Sequence, residues 1–359
     1  MNEQTIPQEK IRVLYVVESF STGVYAIVRD IACNLDPSRF ELTILHSLRS
    51  DSPSGYVEDF QYPHITLQYV PMGSKKTYVS AIRTIRDVID RFKPHAIHLH
   101  SSKAGVLGRI AAKRATAPQI LYSPHGFSFL RTDVSAFARW IFLQVERCIN
   151  RYCHATIIAV SDGELQEALR ITDDAVVINN FIDTSLFGSL VAKPGYPIVT
   201  TGRIAPQKNP DLFNTIAQAL PEVSFLWVGD GPLRNRLTAP NIFVTGHVSR
   251  NEAIQHVVNA HIYLQTSLWE GMPVSILEAM AARKAIVASN IIGNRDLLTH
   301  EQSGILCDPD DPQQFITALK ELLANQEIRN SLADQAYARV QAKHDVSVAV
   351  QRYAEYYRR

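Results

Sequence analysis

Two short stretches of the sequence concentrate groups that handle negative charge and hydroxyls. The first is Gly202-Arg203-Ile204-Ala205-Pro206-Gln207-Lys208-Asn209-Pro210, which follows the β-branched run PIVTT and precedes a helix-length segment. Arg203 and Lys208 offer a planar fork and a mobile point charge at a strand end. A departing diphosphate concentrates negative charge on its oxygens, and fixed cations stabilise that transition state. Taken alone, the same pair also describes two solvated residues of a surface loop. The second stretch is HIYLQTSLWEGMPVSILEAMA, a strand pattern ending near Thr266, then Glu270-Gly271-Met272-Pro273-Val274-Ser275, then a helix carrying Glu278. A turn that runs into a helix start leaves backbone N–H groups free, and these with the helix dipole make an anion site. Glu270 and Glu278 bracket the turn and can face one cleft, where carboxylates accept hydrogen bonds from sugar hydroxyls. The apolar neighbours Ile276, Leu277, Ala279 and Met280 argue against free exposure of Glu278.

His125 stands in Ser123-Pro124-His125-Gly126-Phe127, just after the strand pattern QILYS. That loop position places it at a ligand cleft, although a lone histidine is more often structural. Gly23 follows the first strand pattern, where it would suit either close backbone approach to a phosphate or ordinary turn geometry. No D-x-D follows a strand; Asp308-Pro309-Asp310-Asp311 reads as a helix N-cap. The clamp is therefore expected to be protein cations, with no metal and no cofactor beyond the donor substrate. Cys33, Cys148, Cys153 and Cys307 match no C-x-x-C or metal spacing and read as buried reduced thiols.

These loops need strands and helices to hold them. Short β-branched runs alternate with helix-length segments at 11–17, 40–46, 95–100, 119–123 and 155–160, and again at 197–202, 223–229, 241–246, 261–266 and 285–289. Strand, helix, strand is the signature of a parallel sheet. The 359 residues suffice for two domains with cores of their own. The fold class is α/β, two Rossmann-like doubly wound parallel-sheet domains whose ligand loops face a shared cleft. The segment 179–197, with Gly188, Pro194, Gly195 and Pro197, reads as the linker. The expected domains are 1–188, 189–340 and a C-terminal helix, 341–359, whose stripe at 346, 350, 353 and 357 packs back on the first domain.

At this point the residues carry a family resemblance. Gly202-Arg203-x4-Lys208-Asn209 followed by Glu270-Gly271-x-Pro273-x4-Glu278-Ala279 resembles the retaining glycosyltransferases of family four, which have the GT-B fold. Val228-Gly229-Asp230-Gly231-Pro232-Leu233 and Gly246-His247-Val248 look like the second domain of that family. The stretches 98–105 and 123–127 resemble bacterial capsular and exopolysaccharide enzymes. The resemblance implies that Arg203 and Lys208 clamp the diphosphate and that Glu278 takes the nucleotide ribose. It also implies that Glu270 and the backbone of Gly271, Met272, Pro273, Val274 and Ser275 meet the donor sugar and distal phosphate. Gly202 begins the clamp loop, Val248 would hold the base through its backbone, and His125 would lie over the donor sugar. Where the family has two glycines after the first strand, this sequence has Gly23 followed by Val24-Tyr25.

Net charge is +1, yet residues 75–151 carry fourteen Lys/Arg against four Asp/Glu. Helices expected over 80–91 and 134–151, the latter with Phe137, Trp140, Ile141 and Phe142 among arginines, suit either core aromatics with a wet basic face or contact with an anionic bilayer. The resemblance favours the bilayer, because such enzymes extend an acceptor carried on a polyprenyl diphosphate. No apolar run has the length of a membrane span and the start MNEQTIPQEK lacks a secretory leader pattern, so the expected location is cytoplasmic, peripheral on the inner face of the membrane. Nucleic acid is not an expected partner. The expected activity is hexosyl transfer from a UDP-linked sugar to a lipid-linked saccharide. The alternatives are a GT-B transferase with a soluble acceptor and an inactive GT-B subunit that serves a partner.

Overall fold

A computed structural model describes residues 9–359 except 50, 54, 116–118 and 194. The strands are β1 Ile11–Val17, β2 Phe40–His46, β3 Ile65–Tyr69, β4 Ala96–His100, β5 Gln119–Ser123, β6 Thr156–Ala159, β7 Ala175–Val177, β8 Ile198–Thr201, β9 Phe225–Val228, β10 Ile242–Val244, β11 Ile262–Gln265, β12 Ala285–Ser289 and β13 Ile305–Cys307. The helices of the first half are α1 Thr22–Asn34, α2 Tyr78–Phe92, α3 Ser102–Ala112, α4 Ala136–Tyr152 and α5 Asp162–Ala168. Those of the second half are α6 Pro210–Gln218, α7 Arg250–Asn259, α8 Val274–Ala281, α9 Ile292–Leu297, α10 Pro312–Ala324, α11 Gln326–Lys343 and α12 Val346–Tyr356.

Two separate sheets form, ordered β3-β2-β1-β4-β5-β6-β7 and β10-β9-β8-β11-β12-β13. Every pairing is parallel. The central strands β1 and β4 are apolar along most of their length, as strands covered by helices on both faces must be. Strand order reverses beside β1 and beside β8, so the loops after β1, β4, β8 and β11 open at the switch points where α/β sheets bind ligands. The strands β3, β7 and β13 were not among the expected runs. The first is a half-exposed edge strand and the others are three residues each, too short to show a period.

The chain crosses between the sheets twice. The first crossing lies between β7 and β8. The second follows α11, which runs on to Lys343, so the return begins at His344 rather than at 341. Asp345 caps α12 by accepting from the Ser347 amide, and Ile182 bonds both sides of the crossing, donating to the His344 carbonyl and accepting from the Val346 amide. Helix α12 then lies on α1, burying Val346, Val350, Tyr353 and Tyr357. One departure concerns the thiols: Cys153 and Cys307 are buried, Cys33 is half-buried, but Cys148 is exposed. It lies on the exposed side of α4.

Candidate active site

The loops after β8 and β11 are stitched into one surface. Trp227 Nε1 donates to the Gly202 carbonyl at 2.8 Å, Leu268 N to the Gln207 carbonyl at 2.8 Å, and Thr266 Oγ1 to the Lys208 carbonyl at 2.7 Å. Gly202 has φ +132°, and a Cβ there would come within 3.0 Å of Lys208 Cε, so the clamp loop needs glycine at its start. Lys208 Nζ bonds Glu270 Oε1 at 2.7 Å, and Gln207 Nε2 and Ser267 Oγ hold the same carboxylate at 3.0 and 2.9 Å. Burial alone would push the Lys208 ammonium down, but the Glu270 carboxylate and Tyr263 hold it above the usual lysine value. Two residues expected to face one ligand are thus already bonded to each other.

Arg203 stands apart from that pair. Its side chain is 46% exposed and its guanidinium lies 3.7 Å from the Asp51 carboxylate of the first domain. Asp51, Arg203, Asp230, Gly231, Pro232 and His247 line a cleft of about 440 Å³. Val248, half-buried, follows His247 in the turn between β10 and α7.

The 271–275 turn is where the second domain meets the first. A Cβ on Gly271 would come within 3.0 Å of the Gly126 amide nitrogen and 3.3 Å of the His125 carbonyl carbon, so only glycine permits that approach. Ser161 Oγ donates to the Gly271 carbonyl at 3.2 Å and Asn180 Nδ2 to the Met272 carbonyl at 2.7 Å. The side chains of Met272 and Val274 are core, with Val274 3.5 Å from the Cβ position of Gly23 on α1. No side chain caps the start of α8, and Ser275 Oγ is buried without a partner. A buried unpaired hydroxyl beside an uncapped helix start suits an acceptor-rich ligand such as a phosphate.

Glu278, one turn into α8, is bonded to Arg250 Nε at 3.1 Å, and Arg250 also meets Asp30 of α1 at 3.3 Å across the domain boundary. Burial raises the Glu278 carboxyl above its ordinary range, against the pull of Arg250. Burial likewise works against the Arg250 guanidinium, but Glu278 and Asp30 outweigh it and raise its pKa.

His125 adopts the left-handed region at φ +53°, followed by Gly126 at +99°. Glu164 holds this turn by accepting from the Gly126 amide at 2.6 Å and the Val160 amide at 2.8 Å. Burial lifts Glu164 to about 7 although both amides favour its ionised form. Burial pulls His125 down to about 4, so it is neutral at physiological pH.

The structure therefore gathers Gly23, His125, Lys208, Glu270, the 271–275 turn and Glu278 along the seam of the two domains, with Arg203 and Val248 at its outer end. Sequence reasoning missed Arg250, Asp30, Asp51, Glu164 and His100. Ser249-x-x-Glu252 is a capping box and marked the helix start that presents Arg250. The H-x-H pattern at 98 and 100 marked two histidines on one strand face. Asp30, Asp51 and Glu164 left no local mark. Among the described residues no three His, Cys, Asp or Glu side chains gather as metal ligands.

Two parallel-sheet domains whose switch-point loops meet at a shared seam define the GT-B fold of glycosyltransferases. Residues 22–180 match the family described as "Glycosyl transferase 4-like domain" and residues 183–339 match "Glycosyl transferases group 1". The chain belongs to the family-four-like glycosyltransferases that pair these two domains. It is 29% identical over 305 residues to the UDP-Gal:alpha-D-GlcNAc-diphosphoundecaprenol alpha-1,3-galactosyltransferase of Escherichia coli, covering 74% of this chain and 77% of that one. It is 26% identical to the putative teichuronic acid biosynthesis glycosyltransferase TuaC of Bacillus subtilis, covering 70% and 67%. In fold it superposes on HepE of Anabaena in complex with UDP-glucose, with a TM-score of 0.81 over 96% of this chain and 98% of that one at 18% identity.

Proposed function

We propose that this glycosyltransferase moves a hexosyl unit from a UDP-linked sugar to a saccharide carried on a polyprenyl diphosphate, with retention of anomeric configuration, in the synthesis of a surface polysaccharide. The observation that carries this reading is the seam itself, where the bonded pair of Lys208 and Glu270, the 271–275 turn and His125 meet across the two domains. Arg203 and Lys208 stabilise the departing diphosphate. Glu270 and the turn's backbone take the sugar and distal phosphate, Glu278 the ribose, Val248 the base, and Gly23 lets α1 approach the donor. As the C1–oxygen bond to the diphosphate breaks, an oxocarbenium-like sugar forms, the acceptor oxygen bonds to C1 on the same face, and the acceptor's proton passes to the departing diphosphate oxygen. A UDP donor is supported by the Escherichia coli relative, whose donor is UDP-galactose, and by the HepE complex with UDP-glucose. The lipid-linked acceptor is supported by the same relative and by the exposed apolar face of α4. No helix among the described residues is long and apolar enough to cross a membrane, so the contact we propose is peripheral, on the cytoplasmic face.

The test is turnover by the purified chain of UDP-galactose, UDP-glucose and UDP-N-acetylglucosamine with a polyprenyl-diphosphate-linked sugar as acceptor, the new linkage being read by NMR. An inverted linkage overturns retention, and transfer only to free small molecules overturns the lipid-linked acceptor. We read the transfer as metal-independent, so excess EDTA should leave the rate within about a factor of two, since among the described residues no set of three or more carboxylate, histidine or cysteine ligands gathers at the clamp. Loss of activity restored by Mg²⁺ or Mn²⁺ overturns this.

A further inference from the structure

Behind His125 runs a line of hydrogen-bonding rings that the donor site does not use. Strand alternation puts His98 and His100 on one face of β4, and both are fully buried. His100 Nδ1 lies 3.0 Å from His125 Nε2, with the ring planes 12° apart. The His98 ring sits 3.9 Å from that of His100. His98 is itself held at both ends, Nδ1 at 2.8 Å from the Tyr357 hydroxyl and Nε2 at 2.9 Å from Ser123 Oγ. The Tyr357 hydroxyl in turn bonds that of Tyr15 at 2.8 Å. The end of the C-terminal helix thus reaches the cleft histidine through two buried imidazoles.

The protons in this line can be placed. Burial, with His125 beside both and His98 beside His100, keeps His98 and His100 neutral, so His100 carries one N–H. Its Nε2 is buried with no partner. A proton there would leave a buried donor unbonded, the rarer and costlier kind of orphan, whereas a proton on Nδ1 leaves only a bare lone pair and makes a bond to His125. His125 Nε2 then accepts, and the proton of its own neutral ring stands on Nδ1. That atom makes no hydrogen bond within the described residues and, unlike His100 Nε2, is not among the buried unpaired atoms, so it is open to a ligand from the seam.

We propose that His100 is a positioning residue that locks His125 in the tautomer presenting Nδ1–H to the cleft, so that His125 acts as a hydrogen-bond donor to the donor sugar and not as a base toward the acceptor. This rests on the reading that the sugar lies over His125. The left-handed backbone at His125 fixes where the ring starts, and His100 fixes which nitrogen carries the proton. Tyr357, Tyr15 and Ser123 hold His98, against which the His100 ring packs.

Long-range ¹H–¹⁵N NMR of the histidine-labelled full chain reads the tautomer with no turnover needed, and the signals of residue 125 are assigned by their loss in His125→Asn. The wild-type protein should show His125 protonated at Nδ1. His100→Leu should shift it to the Nε2–H form or a mixture, and lower kcat/KM for the nucleotide sugar about tenfold, the worth of one hydrogen bond, while UDP affinity stays unchanged. His100→Asn places an amide N–H where Nδ1–H was and should restore the tautomer and most of the rate. His125 protonated at Nε2 in the wild-type protein overturns the proposal, as does a His100→Leu variant with unaltered tautomer and rate. If that variant does not fold, the wild-type spectrum alone decides. Full transfer by His125→Ala would instead remove the site reading on which the proposal stands, whatever the spectrum shows.

Discussion

Lys208 performs two tasks at once. It carries a charge to the seam and bonds Glu270 at 2.7 Å. On the proposed reading, removing it loses a transition-state cation, and it also takes the ammonium from a carboxylate that is only 10% exposed. Lys208→Ala and Arg203→Ala should each slow transfer about 10²–10³-fold, as the loss of one preorganised charge-stabilising group does. Steady-state rates at saturating donor check this, and full turnover by either variant excludes the clamp. The two glutamates divide differently. Glu278→Gln should weaken binding of UDP itself by about 1–2 kcal/mol, because a neutral amide accepts from ribose more weakly than a carboxylate. Glu270→Gln should impair the sugar-dependent step while UDP binds nearly as before. Calorimetry with UDP and with the intact donor separates the two, and equal losses of both ligands in both variants would exclude the assignment.

At the scale of elements, α4 departs from an ordinary amphipathic helix. Its inner face is buried through Leu143, Glu146 and Asn150, where Arg109 and Tyr122 satisfy the Glu146 carboxylate at 2.8 Å each. Its outer face should be polar, yet Phe137 is 69% and Trp140 57% exposed, and Ile141, Val145 and Tyr152 follow at helical spacing. The aromatics are thus divided: Phe142 packs against the core, whereas Phe137 and Trp140 face outward. Helices α2, α3 and α4 lie side by side, and the exposed Arg83, Arg91, Lys113, Arg114 and Arg151 lie on or just beyond them. Such a layer should bind anionic vesicles reversibly, each basic group near the surface adding about 1 kcal/mol. High salt should remove most of that binding. Trp140→Ser with Phe137→Ser should remove whatever binding survives salt, because that part comes from inserted apolar area. Sedimentation with zwitterionic and anionic vesicles measures both parts, and equal, negligible binding to each would exclude the contact.

The whole molecule carries a pH signature set by burial. His46 and His125 are both held at about 4 by burial, against an ordinary value of 6.5, and His98 and His100 are also lowered. The unfolded chain binds these protons first as pH falls, so their contribution to stability is complete above pH 6.5 and is lost on the way down to about 4. Glu164 has the opposite sign: its folded value of about 7 exceeds the ordinary 4.5, so its contribution fades as pH rises between those values. Two or more histidines outweigh one glutamate below pH 6.5, and the melting temperature should fall steeply there. Calorimetry across pH 4–8 tests this. His46→Gln should make the slope shallower by about one proton, and an unchanged slope would show that His46 is not held neutral.

Much of this protein was legible locally. A strand of five to seven residues with apolar runs, a glycine that opens a loop, and an acid eight residues after another leave their record in neighbouring positions, because the forces that set them act over one turn or one pleat. β1, β2, β5 and β12 accordingly begin and end where the β-branched runs do. Lys208, Glu270, Gly271 and Glu278 likewise stand out by their spacing, to which the family resemblance adds their expected roles. What only the tertiary structure decided are the partners of those residues. Arg250 joins Asp30 to Glu278 across 220 positions of chain, Tyr357 reaches His98 across 259, and Gly271 comes against His125 and Gly126. Such pairs depend on how two folded surfaces meet, and a contact between surfaces is encoded in the shape and charge of both at once, which no local pattern in either can carry. The outward face of α4 belongs with them: hydrophobic spacing predicts a helix, but that Leu143, Glu146 and Asn150 turn inward, with Glu146 on Arg109, is decided by the surface the helix meets.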